Sequence, residues 1–333
     1  MYDAIMGQSE AVARVVNQNK IDSVRPKIQG CRRLFIVGTG SSFHAALAGQ
    51  YLFSHSDSRP VSQAITSFNF ALYPPDLSSD DYLIVISHRG TKKYSFDSLR
   101  LAQVARAKTL LITGKTDQPE GSIADDIVYT VDQEQSSAHT ISYTSAIGVI
   151  AALANHSLSI SEVTTAMQRC LLLEDSMKGV AKLIKDVPKV WLAGGGPSEV
   201  TALEIGLKIK ETSYTQAEGM STEALFHGPF QSAQSEDFFI LIAPDGKAQS
   251  RTLELIPAIQ AIGARYIVIG NKNPDKYENW YEIPELAEEY TTFNCVLPLQ
   301  LLTYYLALEK DTNPDNFRLE DPRFAAAEKF MKL

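Results

Sequence analysis

The sequence predicts an α/β protein made of two tandem domains, each a mostly parallel sheet flanked by helices. Two observations predict it. Short apolar runs alternate with helical patterns along all 333 residues. The same unit also occurs twice. "LFIVGTGSSFHAALAGQYL", from Leu34, and "VWLAGGGPSEVTALEIGLKI", from Val190, both read strand, glycine-rich turn, helix. A second strand and turn follow each, "DYLIVISHRG" and "FFILIAPDGK", which is the signature of an internal duplication.

In the first half the apolar runs predict strands over Arg33–Val37, Tyr82–Ile86, Thr109–Thr113 and Asp126–Val131. In the second half they predict Lys189–Ala193, Phe238–Ile242, Tyr266–Ile269 and Tyr281–Ile283. Helical periodicity is clearest over Tyr94–Arg106, Glu199–Glu211, Arg251–Ile262 and Thr291–Leu308. The chain therefore divides into an N-terminal helical segment (1–30), a first domain (31–160), a connecting helix (161–186), a second domain (187–310) and a C-terminal tail (311–333). The polar tail stretch "DTNPDNFRLEDPRF" is irregular, either loose or ordered by something it touches.

Composition narrows the function classes. A net charge of -8 and a pI near 5.3 argue against a dedicated nucleic-acid binder. No apolar run approaches the roughly 18 residues of a membrane span. The polar, periodic N-terminus does not read as a signal peptide. Three widely spaced cysteines, Cys31, Cys170 and Cys295, suit a reducing cytoplasm and exclude a cysteine-rich metal site. No metal-ligand spacing or nucleophile elbow occurs, and no cofactor is implied.

Two turns of the first half are built for an anion. One is Gly38-Thr39-Gly40-Ser41-Ser42 and the other Ser87-His88-Arg89-Gly90-Thr91-Lys92. Each follows a strand and precedes a helix, and in a parallel sheet both emerge at the ligand-binding strand ends. Helix N-termini offer free N–H groups, the hydroxyls add donors, and Arg89 and Lys92 add charge. A dinucleotide fits less well, because Phe43 stands where G-x-G-x-x-G needs its last glycine, and no Gly-Lys-Ser/Thr completes a Walker loop. Serines that merely cap their helices are the competing reading. The pairing of the two turns favours one phosphate.

Reactive groups lie in the second half. Glu204, Lys208 and Glu211 recur at i, i+4 and i+7 in an otherwise largely apolar helix, so they share one narrow stripe. Such a helix lines a polar cleft or carries a salt-bridged surface stripe. Downstream, "YTQAEGMSTEALFHGPF" places Glu218, Glu223 and His227 ahead of a Gly-Pro turn. A loop histidine near carboxylates is an acid–base pair in the making.

These motifs resemble the tandem SIS (sugar isomerase) domain family, and within it the isomerase half of glucosamine-6-phosphate synthases. The resemblance covers nearly the whole chain, and "ALEIGLKIKETSYTQAEGMSTEALFHGP" is its most specific part. It implies two five-stranded domains and no cofactor. It makes Glu211 the carboxylate that moves a proton between C1 and C2, with Glu204 and Lys208 lining the same pocket. His227 becomes the histidine that opens the sugar ring, reaching the neighbouring subunit's site in a homodimer. Ser41, Ser87 and His88 fall on phosphate or sugar contacts, with Thr91 and Lys92 beside them. The implied ligand is a hexose 6-phosphate or amino sugar phosphate.

Three departures follow. The second loop usually reads Ser-Gln-Ser-Gly-Glu-Thr in the family, and here Arg89 and Lys92 stand in it. No cysteine nucleophile follows Met1, so no internal glutaminase is expected. The tail places Leu319 where the synthases carry a Schiff-base lysine, and Lys329 and Lys332 lie beyond that motif. The resemblance thus points to a phosphosugar isomerase or deaminase acting on glucosamine 6-phosphate or fructose 6-phosphate. A fructosamine-phosphate deglycase, an isomerase of another phosphosugar such as a tagatose derivative, and a non-catalytic phosphosugar sensor are the alternatives. The sensor fits least, because about 30 residues before the first strand are too few for the helix-turn-helix such regulators carry.

Overall fold

A computed structural model describes residues 1–54, 60–115, 123–154 and 158–331. It contains two five-stranded parallel sheets. The first is built from β1 (Arg33–Gly38), β2 (Val61–Thr66), β3 (Asp81–Ile86), β4 (Lys108–Lys115) and β5 (Asp126–Asp132), in the order β2-β1-β3-β4-β5. The second uses β6 (Lys189–Gly194), β7 (Gln216–Ser221), β8 (Phe238–Ile242), β9 (Arg265–Gly270) and β10 (Trp280–Glu282). Its order, β10-β9-β8-β6-β7, is the same topology read from the other edge. The duplication seen in the sequence is therefore a duplication of fold.

The helices, in chain order, are α1 (Tyr2–Met6), α2 (Gln8–Val16), α3 (Asn19–Gln29), α4 (Ser41–Ser54), α5 (Ser67–Leu72), α6 (Lys93–Val104), α7 (Ile141–Ala154) and α8 (Ile160–Cys170). After these come α9 (Glu174–Ile184), α10 (Pro197–Ser213), α11 (Thr222–Phe226), α12 (Gln249–Leu253), α13 (Leu255–Ala261), α14 (Thr291–Glu309) and α15 (Pro322–Glu328). The chain forms two compact units. One holds the first sheet, mainly Gly7–Gln135 and His139–Ser161. The other holds the second sheet and comprises Met1–Met6, Ser136–Ala138 and Glu162–Lys329.

Both cores follow from the strand composition. Every residue of β3 and β8 is buried, as expected of central parallel strands covered on both faces. Phe35, Leu83, Val85, Phe96 and Leu99 pack on one side of the first sheet, and Trp191, Phe239, Leu241, Ile256 and Val268 do so in the second. The N-terminal helices belong to this scheme. α3 buries Ile21, Val24 and Ile28, and its Lys20 and Lys27 each lie 2.7 Å from the buried Asp126 at the start of β5.

Four predicted features need correction. The apolar-run criterion yields four strands per half, and the structure adds β2 and β7. Both are edge strands, "VSQAIT" and "QAEGMS", paired on one side only, so their residues need not be apolar. The single connecting helix over 161–186 is two helices, α8 and α9, separated by a 3₁₀ turn at Leu171–Leu173. The helix read over Arg251–Ile262 breaks between α12 and α13 at Glu254. The polar tail is not wholly irregular, since it forms α15, opened by Asp321, whose side chain accepts the Arg323 N–H. Lys332 lies outside the described residues.

Candidate functional site

In the first-sheet unit, β1 and β3 are neighbours although β2 separates them in sequence. That is the switch point of a 2-1-3-4-5 sheet, where ligands bind beyond the strand ends. The turns after these two strands are the ones singled out in the sequence. Gly40 has a φ of 58°, the left-handed region where a side chain is strained, and it occupies the N-cap position of α4. It has no side chain to cap with. Ser41 and Ser42 stand in the first turn of the helix itself, so the reading of these serines as N-caps does not hold. No acidic residue is present in that turn, which leaves its electropositive end open to an anion.

A small cleft, partly open to solvent, lies here, walled by Ser41, Ser42, His88, His139, Ser142 and Tyr143 among others. Ser41, Ser42 and His88 are thus brought together. Ser87 is buried beside His88, but it does not line the cleft, and nor do Arg89, Thr91 or Lys92. Arg89 and Thr91 are exposed and Lys92 is half-buried. Burial first, and Arg89 second, hold the Lys92 ammonium below its ordinary value. His88 is only 8% exposed. Its Nε2 accepts the Glu134 backbone N–H at 2.9 Å, and burial, helped by Arg89, pushes its pKa down to about 4. The ring is therefore neutral at pH 7. The Ser87 Oγ and the His88 Nδ1 are buried with no hydrogen-bond partner among the described residues.

The third wall of this cleft is absent from the sequence-based expectations. "EQSSAHTISYT", from Glu134 to Thr144, carries no glycine, which is why a search for glycine-rich turns passes over it. Its available signal is an acidic residue and a run of hydroxyls immediately before the apolar helix α7. The Glu134 carboxylate accepts hydrogen bonds from Thr140 N (2.8 Å), Thr140 Oγ1 (2.9 Å), Ser142 N (3.2 Å) and Ser142 Oγ (2.7 Å).

In the second-sheet unit the charged stripe lies on α10. A Cβ on Gly219 of β7 would lie 2.0 Å from the Ala202 carbonyl oxygen, so only glycine lets the strand approach the helix this closely. Lys208 and Glu204 are buried, with side chains 1% and 0% exposed. Glu211 is 20% exposed. The Lys208 ammonium lies 2.5 Å from Glu211 Oε2 and 3.6 Å from Glu204 Oε1. This excludes the surface-stripe alternative, because two of the three charges are inside the protein. Glu211 is the member that reaches solvent. The tail fastens this end of the helix. Thr312 Oγ1 donates to the Thr212 carbonyl at 2.6 Å, and the Arg318 guanidinium sits 4.9 Å from the ring centre of Tyr214, the left-handed residue that ends α10. Leu319 is 38% exposed on that tail.

His227 follows α11 and is not part of this buried cluster. Its side chain is 73% exposed, and Nε2 lies 2.8 Å from Glu223 Oε1. Arg251 first, and His227 second, hold the Glu223 carboxyl down to about 2, so Glu223 is a permanent carboxylate. Glu218 pairs with Lys189 at 2.6 Å instead. The cysteines are poor nucleophiles, since burial pushes the Cys31 and Cys170 thiols up to about 12 and Cys295 well above its ordinary value. Among the described residues, no cluster of histidine, cysteine and carboxylate side chains is placed to hold a metal. No described helix is long and apolar enough to cross a membrane.

The model of the SIS domain matches residues 27–156 and 183–310, one match for each sheet. The chain belongs to the SIS domain family. Among the relatives of this SIS protein, the glutamine–fructose-6-phosphate aminotransferase (isomerizing) of Pyrococcus horikoshii is 29% identical over 96% of this chain and 56% of its own length. The chain thus spans about half the length of the curated relatives it matches. The C-terminal domain of the glucosamine-fructose-6-phosphate aminotransferase of Francisella tularensis has the same fold, with a TM-score of 0.86 at 19% identity, covering 95% of this chain and 97% of that one. A glucosamine-6-phosphate deaminase of Thermotoga maritima matches with a TM-score of 0.74 at 19% identity, covering 94% and 96%.

Proposed function

We propose that this SIS protein is a phosphosugar isomerase whose substrate is a hexose 6-phosphate or an amino sugar 6-phosphate, with glucosamine 6-phosphate deamination as the reaction it serves best. The carrying observation is Glu211, a carboxylate open to solvent that is held by a buried lysine. Each unit supports this reading by itself: the first-sheet cleft offers donors for a phosphate, and in the second-sheet unit Glu211 is the proton carrier. His227 opens the sugar ring. Glu211 then takes the C2 hydrogen of the open-chain amino aldose as a proton, leaving an enolamine, and returns a proton at C1. The product is the imine at C2, and water converts it to fructose 6-phosphate and ammonia. Leu319, at the tail position where the resemblance expects a Schiff-base lysine, has no amine to capture a ketose, which favours hydrolysis over amine transfer. An isomerizing aminotransferase of fructose 6-phosphate and a glucosamine-6-phosphate deaminase among the similar proteins support the substrate class.

An ammonia-release assay across 6-phosphorylated amino sugars tests the reading, with equimolar fructose 6-phosphate as the expected co-product. A protein that binds these sugars and turns over none of them is a sensor instead. For the cleft, removing the two lining hydroxyls of Ser41 and Ser42 together (Ser41→Ala, Ser42→Ala) is expected to weaken phosphosugar binding by about 1–3 kcal/mol per lost donor to a charged oxygen. Calorimetric titration reads it, and unchanged affinity removes the phosphate from this cleft.

The exposed His227 fits the homodimer that the resemblance implies, in which each chain completes its partner's site. Mixing inactive Glu211→Gln chains with inactive His227→Ala chains is then expected to restore activity, since some mixed dimers hold one intact site. No recovery after confirmed subunit exchange rules out a shared site.

A further inference from the structure

Five hydrogen bonds converge on one residue that touches none of the reacting groups named above. We propose that Glu134 is the positioning residue of the first-sheet cleft: it sets His88 and Ser142 in the wall that faces the phosphosugar, and ligand affinity depends on its carboxylate. This inference rests on the assignment of a phosphosugar to that cleft.

The geometry has two arms. The backbone N–H of Glu134 donates to His88 Nε2 at 2.9 Å, which makes that nitrogen an acceptor and puts the proton of the neutral ring on Nδ1. The His88 backbone is pinned as well, its carbonyl accepting Gly114 N at 2.9 Å, Gln133 Nε2 at 3.0 Å and Thr113 Oγ1 at 3.3 Å. The ring lies close against Gly114, where an added Cβ would stand 2.6 Å from its Cε1. It stands nearly perpendicular to the His139 ring, with centroids 5.0 Å apart. The other arm is the carboxylate. One oxygen takes both donors of Thr140 and the other both donors of Ser142. That holds the start of α7, and with it Ser142 and Tyr143 of the cleft wall. Both oxygens are needed. An amide at this position keeps one acceptor and turns an NH₂ group toward two donors, so half the bracket is lost.

A mere helix cap and a positioning residue predict different kinetics. The cap affects how much protein is folded. The positioning residue affects how the folded protein holds its ligand, as supporting groups behind a site do. The test uses the full chain, steady-state kinetics and calorimetric binding of fructose 6-phosphate, for wild type, Glu134→Gln and Thr140→Ala. Thr140 bonds the same carboxylate but is not in the cleft wall. The expected result for Glu134→Gln is an affinity loss of about tenfold or more, the range for buried donors left without an acceptor. KM rises to match, kcat stays within a few-fold, and Thr140→Ala keeps near wild-type affinity. Equal loss of melting temperature in both variants with affinity kept in both reduces Glu134 to a cap and overturns the proposal. So does a fall in kcat at constant KM. If Glu134→Gln does not fold, Glu134→Asp gives the same reading, because its shorter arm cannot hold both Thr140 and Ser142. Wild-type protein that binds no fructose 6-phosphate overturns the substrate assignment, and this inference with it. Binding by wild type with equal binding by the variant overturns this inference alone.

Discussion

Replacing Lys208 with methionine is expected to destabilise the protein by about 3–5 kcal/mol, the cost of breaking a buried ion pair by removing one partner. Lys208 is among the largest fully buried side chains, and Glu204 beside it is 0% exposed. Methionine fills the volume of the aliphatic stem, so the loss is electrostatic rather than a cavity effect. The carboxylate of Glu204 would be left inside the unit without this ammonium. The double variant Lys208→Met, Glu204→Leu should recover much of the loss, because a buried pair replaced by apolar groups is often neutral. Urea unfolding of the three chains measures it. A single variant as stable as wild type, within a few tenths of a kcal/mol, means that Glu204 is solvated or neutral in the folded protein.

Glu211→Gln is expected to behave in the opposite way, with stability nearly kept and turnover lost. Glu211 is partly exposed and glutamine has its shape, so folding tolerates the change. As a general base its removal should lower kcat by about 10²–10⁴-fold, with ligand binding largely unaffected. A purely structural partner of Lys208 predicts the reverse: a lower melting temperature and a modest change in rate. His227→Ala, which removes the group proposed above to open the ring, should slow the cyclic sugar more than an open-chain analogue.

How much of this was legible in the sequence depended on where each residue sits in the sheet. β1 and β3 are buried on both faces, so their apolar runs were unmistakable, and the glycine-rich turns after them led to Ser41, Ser42 and His88. The edge strands β2 and β7 carry polar residues, because one side faces no neighbour, and composition hid them. The Glu204–Lys208–Glu211 spacing shows that three charges share a helix face. It cannot show whether that face is covered, since burial is decided by what packs on α10 from elsewhere in the chain. Gly219 and the tail residue Thr312 do part of that packing, and neither carries a signal of its own. The Glu134–Tyr143 wall was missed for a related reason. It is built from a carboxylate holding the start of a helix, with none of the glycines that mark the other two turns. Arg89 and Lys92 went the other way. Their charge drew them into the expected phosphate site, whereas the cleft is lined by neutral donors and Arg89 points to solvent as an exposed residue.

The central claim is that Glu211 carries a proton between C1 and C2 of a 6-phosphorylated sugar. The most direct test is exchange in deuterated water of the C2 hydrogen of glucosamine 6-phosphate and of a C1 hydrogen of fructose 6-phosphate, followed by proton NMR with wild-type protein and with Glu211→Gln. The prediction is wash-in of deuterium at the carbons flanking the shift with wild type, and exchange slowed by about 10²–10⁴-fold in the variant while the sugar still binds. Exchange at the wild-type rate in Glu211→Gln would contradict the account and remove Glu211 as the proton carrier.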